Sequence, residues 1–356
     1  MPRTQRIAAM SLLLLLLQLL ALLPARAEER LVLSVTLIRH GDRTPFKGIP
    51  GSAQTWKLGL GELTPLGMNQ EYLLGKSLRE RYVDQFRLLP ANYVPNVVYA
   101  RSTTLNRTIM SAQSLLCGLY PPGTGPMLAD GKPALPGAFQ PVPIRTWPAA
   151  EDRVLLGGRF HGDEVKTLKE RLVFTTGEWQ EKTRSCSGRF ARWSRISGLD
   201  LRTLTDLIPV ADEFNVRGVH GVPFPEGITD VEAREIVGLG FWAMAQEYRP
   251  REIGRLLARD LLAEVMSHME KAHQGTQPHR LILYSAHDST LLPVLSALGV
   301  PRDTQVPYAS NVIFELSRDG TAWSVRVRYN GEDLVLPDTG KAACSYEEFR
   351  DKVLVK

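Results

Sequence analysis

Three times along this 356-residue chain, an apolar run short enough for a strand passes through a turn of charged or hydroxyl residues into an amphipathic helix. Leu31 to Ile38 runs into Arg39-His40-Gly41-Asp42-Arg43-Thr44-Pro45. Asn96 to Ala100 runs into Arg101-Ser102-Thr103-Thr104, whose hydroxyls are candidate caps for a helix through Leu105, Ile109, Ala112 and Leu116. Arg280 to Ser285 runs into Ala286-His287-Asp288-Ser289-Thr290 and a helix from Leu291 to Leu298, closed by Gly299. Neighbouring parallel strands need a crossover, usually a helix, so this recurrence predicts an α/β fold with a mainly parallel sheet flanked by helices. The first crossover helix is expected after Thr64 as N-cap and Pro65 at the first helical position.

The rest of the chain organises around that core. Residues Tyr120 to Pro148 are rich in Pro and Gly and read as a surface connection. From about Gly162 to Gly240 no clear strand occurs, only helical stretches at Asp163–Leu172, Gly177–Arg184 and Asp230–Gly238, which reads as a helical insertion. Pro250 to His273 is a helix returning to the sheet, and Asn311–Leu316 with Ala322–Tyr329 are paired strands about Asp319-Gly320. The expected division is a leader at 1–27, a catalytic α/β domain at 28–140 and 241–356, and a helical cap at 141–240.

In an open parallel sheet the ligand crevice lies beyond the carboxyl ends of the strands. Three strand ends here carry Arg39, His40 and Arg43; Arg101; and His287 with Asp288. If they are neighbours, three guanidiniums, two imidazoles and one carboxyl group meet around a phosphate-sized volume. Guanidinium forks match phosphate oxygens bidentately, and a neutral imidazole can accept a phosphoryl group. Nearby guanidiniums disfavour the imidazolium form, which keeps His40 nucleophilic in acid. The expected roles are therefore His40 as nucleophile, Asp288 as general acid, and Arg39, Arg43, Arg101 and His287 as phosphate ligands. His161, His220, His268, His273 and His279 have no companion pattern, and Trp147, Trp179, Trp193 and Trp242 are expected in the core.

Arg3 and Arg6, a leucine-rich run from Ser11 to Leu23 and Ala25-Arg26-Ala27 together read as a cleavable secretory leader. The run is shorter than the ~20 residues of a membrane span, so no stable membrane anchor is expected and a secreted or periplasmic location is. Loss of residues 1–27 leaves 40 basic against 38 acidic residues, a balance that asks for no nucleic-acid partner. Cys117, Cys186 and Cys344 allow one disulfide bond in an oxidising compartment, with the pairing open. No Cys-x-x-Cys or His-x-x-x-His spacing suggests a metal, and none is expected.

These residues resemble the histidine acid phosphatases, whose signatures are Arg-His-Gly-x-Arg-x-Pro and a His-Asp pair after an apolar strand. The likeness extends to Glu62-Leu63-Thr64-Pro65-Leu66-Gly67, Arg101-Ser102-Thr103 with Arg107-Thr108, Tyr284-Ser285-Ala286-His287-Asp288 and Pro307-Tyr308-Ala309-Ser310, and thins over 140–240. It implies the phosphoglycerate mutase-like fold with a smaller helical cap. It also implies a two-step phosphomonoesterase working through a phosphohistidine on His40, with proton donation by Asp288, no cofactor, and a small phosphomonoester as partner. A homodimer is possible in such a family. Cysteine sparsity relative to the animal enzymes points to a bacterial source. Two alternatives stand beside this reading: a phytase of the same superfamily, and a non-catalytic phosphate- or phospholipid-binding protein.

Overall fold

In the computed structural model the described residues are 29–51 and 55–354; the expected leader lies outside them. Strands β1 (Arg30–Arg39), β2 (Val98–Ser102), β3 (Ile144–Thr146) and β4 (Leu281–Ala286) form the parallel half of one sheet in the order β3-β2-β4-β1. Strands β5 (Asn311–Asp319), β6 (Ala322–Tyr329), β7 (Glu332–Asp333) and β8 (Ala343–Ser345) continue it antiparallel from the other side of β1. Because β4 inserts between β1 and β2, strands from three distant stretches of chain end side by side. That adjacency meets the condition left open by the sequence, which predicted a mainly parallel sheet but not which strands are neighbours.

Strand β1 is buried along nearly all its length, as a central strand covered on both faces must be. Leu33, Val35 and Leu37 pack on one face with helices α7 (Arg251–His273) and α8 (Asp288–Ala297). The opposite face is covered by α1 (Pro65–Arg79) and α2 (Asn106–Leu119), whose Leu78, Leu115 and Leu119 meet Ile38, Leu281 and Leu283. Thr64 caps α1 as expected, its Oγ1 accepting from Gly67 N at 3.1 Å. The α2 start differs: its N-cap is Leu105 with no side-chain cap, and the Thr103 hydroxyl instead contacts Thr108 Oγ1 and His287 Nε2.

Between β3 and α7 lie α3 (Gly162–Leu172), α4 (Gly177–Ser197), α5 (Ile208–His220) and α6 (Asp230–Tyr248). They gather around their own apolar core of Trp179, Phe190, Trp193, Leu207 and Phe214. Helix α5 was not anticipated, and α4 and α6 extend well past their expected ends. Two other expectations are corrected. The bridge that three cysteines allow is not formed: all are free, with Cys186 in the helical core, Cys344 in the sheet core and Cys117 on α2. Trp147 is not a core residue; 36% exposed, it lies over the Arg101 guanidinium at 4.2 Å. Among the described residues no helix is long and apolar enough to cross a membrane.

Candidate active site

The carboxyl ends of β1 and β4 are tied together, since His40 N donates to Ala286 O at 3.1 Å. The residues that follow these two strands therefore share one hollow. The His40 and His287 rings stand 5.5 Å apart, edge to face. His40 Nδ1 lies 2.8 Å from the Gly41 carbonyl, which can only accept, so Nδ1 carries the proton and Nε2 keeps its lone pair. Burial, reinforced by the Arg39, Arg43 and Arg107 guanidiniums, holds His40 well below the ordinary imidazole range. A neutral imidazole with Nε2 unprotonated is the form a nucleophile requires.

His287 is the N-cap residue of α8 and Asp288 its first helical residue. Asp288 Oδ2 pairs with Arg39 at 2.8 Å and accepts from Gln305 Nε2 at 2.9 Å, while Oδ1 accepts from Ser289 N. Burial alone would raise this carboxyl, but Arg39 and Arg43 outweigh it and hold the group below its usual range. His287 is likewise depressed, by burial and then by Arg107. Each arginine is fixed differently. Arg39 is fully buried, donates to Val306 O, and lies under the Tyr308 ring at 4.2 Å. Arg43 makes a two-pronged pair with Asp212 of α5, both contacts at 2.8 Å, which joins the helical insertion to the motif.

The expected position of Arg101 among the phosphate ligands is corrected. Its side chain leaves β2 toward α7, pairing with Asp152 at 2.5 Å and Glu264 at 3.4 Å under Trp147. It does not line the cavity at His40, which measures about 440 Å³. Strand alternation is the cause, for residues at a strand end point to opposite faces in turn. Arg107, two turns of chain later and at the start of α2, lines that cavity instead. Its guanidinium donates to Gly61 O and pairs with no carboxylate among the described residues; burial and Arg43 push its pKa down to about 10. A half-buried cation with no carboxylate paired to it is poised for an anion.

Further residues escaped sequence reasoning. Asp212 and Gln305 touch Arg43 and Asp288 from distant segments without local pattern, and Tyr308, noted only as part of the resembling stretch Pro307 to Ser310, lies over Arg39. His220, given no companion in sequence, bonds buried Asp42 of the first motif at 2.6 Å. Beyond the polar floor the cavity walls are apolar, with Phe46, Leu105, Ile208, Phe241, Met244 and Tyr248, and Arg159 stands among them.

A family profile described as histidine phosphatase superfamily (branch 2) matches residues 30–188 and 230–330. The chain is 32% identical to human prostatic acid phosphatase over 90% of this chain and 84% of that protein. It is 33% identical to bovine lysosomal acid phosphatase over 86% of this chain and 72% of that one. Among solved structures, the Hafnia alvei phytase apo form superposes with a TM-score of 0.65 over 92% of this chain and 97% of its own, at 17% identity. The Citrobacter braakii phytase gives 0.63 over 91% and 97%, also at 17% identity. At that identity the likeness is one of fold.

Proposed function

The chain belongs to branch 2 of the histidine phosphatase superfamily, and on that footing we propose that it is an exported acid phosphatase hydrolysing phosphate monoesters through a phosphohistidine on His40. The observation that carries the reading is the His40 ring itself. Its proton is held on Nδ1 by Gly41 O, leaving the Nε2 lone pair free, and the residue lines a cavity with Arg43, Arg107 and His287, which can take phosphate oxygens. The leucine-rich leader supports export, and the helices α4 to α6 serve as a cap over the pocket.

In the first step the Nε2 lone pair attacks phosphorus and the P–O ester bond breaks. The bond pair goes to the leaving oxygen, which takes the proton of Asp288. In the second step water attacks phosphorus, the N–P bond breaks, and Asp288 accepts the water's proton. Arg43 and Arg107, which line the cavity, balance charge spread over the equatorial oxygens, while Arg39, expected as a phosphate ligand but absent from the cavity lining, acts through its pair with Asp288. That pair holds Asp288 ionised in the unliganded protein, so the proton must arrive with the substrate. A phosphate monoester is monoanionic below its second ionisation, near pH 6. Activity should thus be greatest in acid, with kcat/KM falling above about pH 6.

The phytase alternative needs cations spread widely enough for several phosphates. Beyond the phosphate cluster this cavity offers Arg159 among apolar walls, which favours esters whose alcohol carries an aromatic or apolar group. The test is a substrate panel across pH on the mature protein: an aryl phosphate, a sugar phosphate and phytate, each with wild type and His40→Ala. Aryl phosphate should give the highest kcat/KM, and His40→Ala should lose about 10³-fold or more in kcat. Phytate as the preferred substrate, or wild-type turnover by His40→Ala, would overturn the reading.

A further inference from the structure

A second cavity, about 500 Å³, opens at the amino ends of β1 and β4, the length of β1 away from His40. At ~3.3 Å per residue that separation is about 30 Å. Arg30, Arg87, Arg280 and Arg318 line it, with Trp323 and His279, over a floor that includes Leu31 and Leu88. Among the described residues no carboxylate lines it and none of the four arginines is paired with one, though Arg280 donates to Leu88 O and Arg318 donates to Gly320 O beside the Trp323 ring. Glu29 and Asp84 line an adjoining groove on the far side of Arg30 and Arg87.

All four arginines are solvent-exposed, so water screens their mutual repulsion, but the cluster still concentrates like charge. Arg30 and Arg318 are direct cross-strand partners in the β1–β5 register, and like charges directly opposite destabilise a sheet. Arg280, whose carbonyl accepts from Ser34 N, brings a third guanidinium to the same strand ends. Arg87 adds a fourth from a residue in the left-handed region, φ 49°. An anion with several charged groups would relieve this repulsion, and guanidiniums bind phosphate and sulfate oxygens in two-pronged fashion.

We infer that this cavity is a second anion-binding site, separate from the pocket at His40, that takes a soluble small molecule bearing two or more phosphate or sulfate groups. Its volume lies within the range of ordinary ligand pockets. Four guanidiniums exceed what one phosphate can engage, and a recessed cavity suits a free molecule better than a flat lipid surface. Binding there is independent of the phosphohistidine reaction.

The probe is inositol hexakissulfate, which a phosphatase cannot hydrolyse, titrated calorimetrically into wild type and into the double variant Arg30→Ser, Arg87→Asn. Asparagine tolerates the left-handed backbone at 87. Wild type should bind one more equivalent than the variant, or bind that equivalent at least about tenfold more tightly. Aryl phosphate kinetics should be the same in both. The Trp323 emission change on binding should vanish in Trp323→Phe. A second pair, Arg280→Ser with Arg318→Ser, should behave like the first and serves if the first pair misfolds. Equal stoichiometry and affinity in wild type and both variants would overturn the inference. So would binding to vesicles of anionic lipid without binding of the soluble probe.

Discussion

Arg101 and Arg107 separate what residue identity predicts from what a side chain reaches. Arg101 lies at the end of the second strand and Arg107 in the first turn of the helix after it, and only Arg107 lines the cavity. Arg107→Ala should raise KM for an aryl phosphate and lower kcat/KM by about 10²-fold, because a charge-assisted contact to the phosphoryl group is lost. Arg101→Ala should lower kcat/KM by no more than about tenfold. Asp152, its partner, also accepts from Leu155 N in the segment that walls the cavity, so the effect is one of positioning. Similar losses in the two variants would refute the distinction. For Asp288→Ala, alkyl phosphates should lose about 10²-fold more in kcat than aryl phosphates, whose leaving oxygens need little protonation. Equal losses on both would remove Asp288 as the acid.

Elements bring these side chains together through close backbone approach. Gly67, in the first turn of α1, lies so near the motif loop that an added Cβ would meet Asp42 O at 2.1 Å. Gly67→Ala should therefore cost about 1–3 kcal/mol and displace the loop bearing His40 and Arg43. Denaturant unfolding and kcat measured together would check it; an unchanged midpoint with unchanged kcat would show that the loop yields freely. Elements with a strong local pattern were legible: β1, β4, α1 with its Thr64-Pro65 start, and the β5–β6 hairpin. Strand β3 was not, since its three residues lie inside the Pro- and Gly-rich stretch read as a surface connection, have no period of their own and form only by pairing with β2. Helix α5 was missed because it buries Asp212, Glu213 and Arg217 through ion pairs with distant or helical partners, which no apolar periodicity reveals.

At the scale of the whole molecule, buried titratable groups decide how stability follows pH. Burial raises Glu71 well above the usual carboxylate range, and neither of its oxygens has a hydrogen-bond partner among the described residues. Its folded pKa exceeds the unfolded one, so folding holds the proton longer than the unfolded chain does. Stability is then fully present below about pH 4.3 and declines as pH rises toward the folded value. Glu71→Gln should remove that decline, so its melting temperature should exceed the wild type's by a margin that widens upward from pH 4.3. A constant margin would place the cause elsewhere. His40 and His287 act oppositely: both are depressed, so their contribution is lost as pH falls below about 6.5, where the unfolded imidazoles take up protons. The chain's own order of residues determined its family, its α/β class and the placing of Arg39, His40, Arg43, His287 and Asp288 at strand ends, because each of those rests on local periodicity or contiguous motif. Which arginine lines the cavity at His40, which carboxylate restrains Arg43 and which histidine meets Asp42 were decided by tertiary structure alone, since strand alternation and helix docking join residues that no spacing along the chain relates.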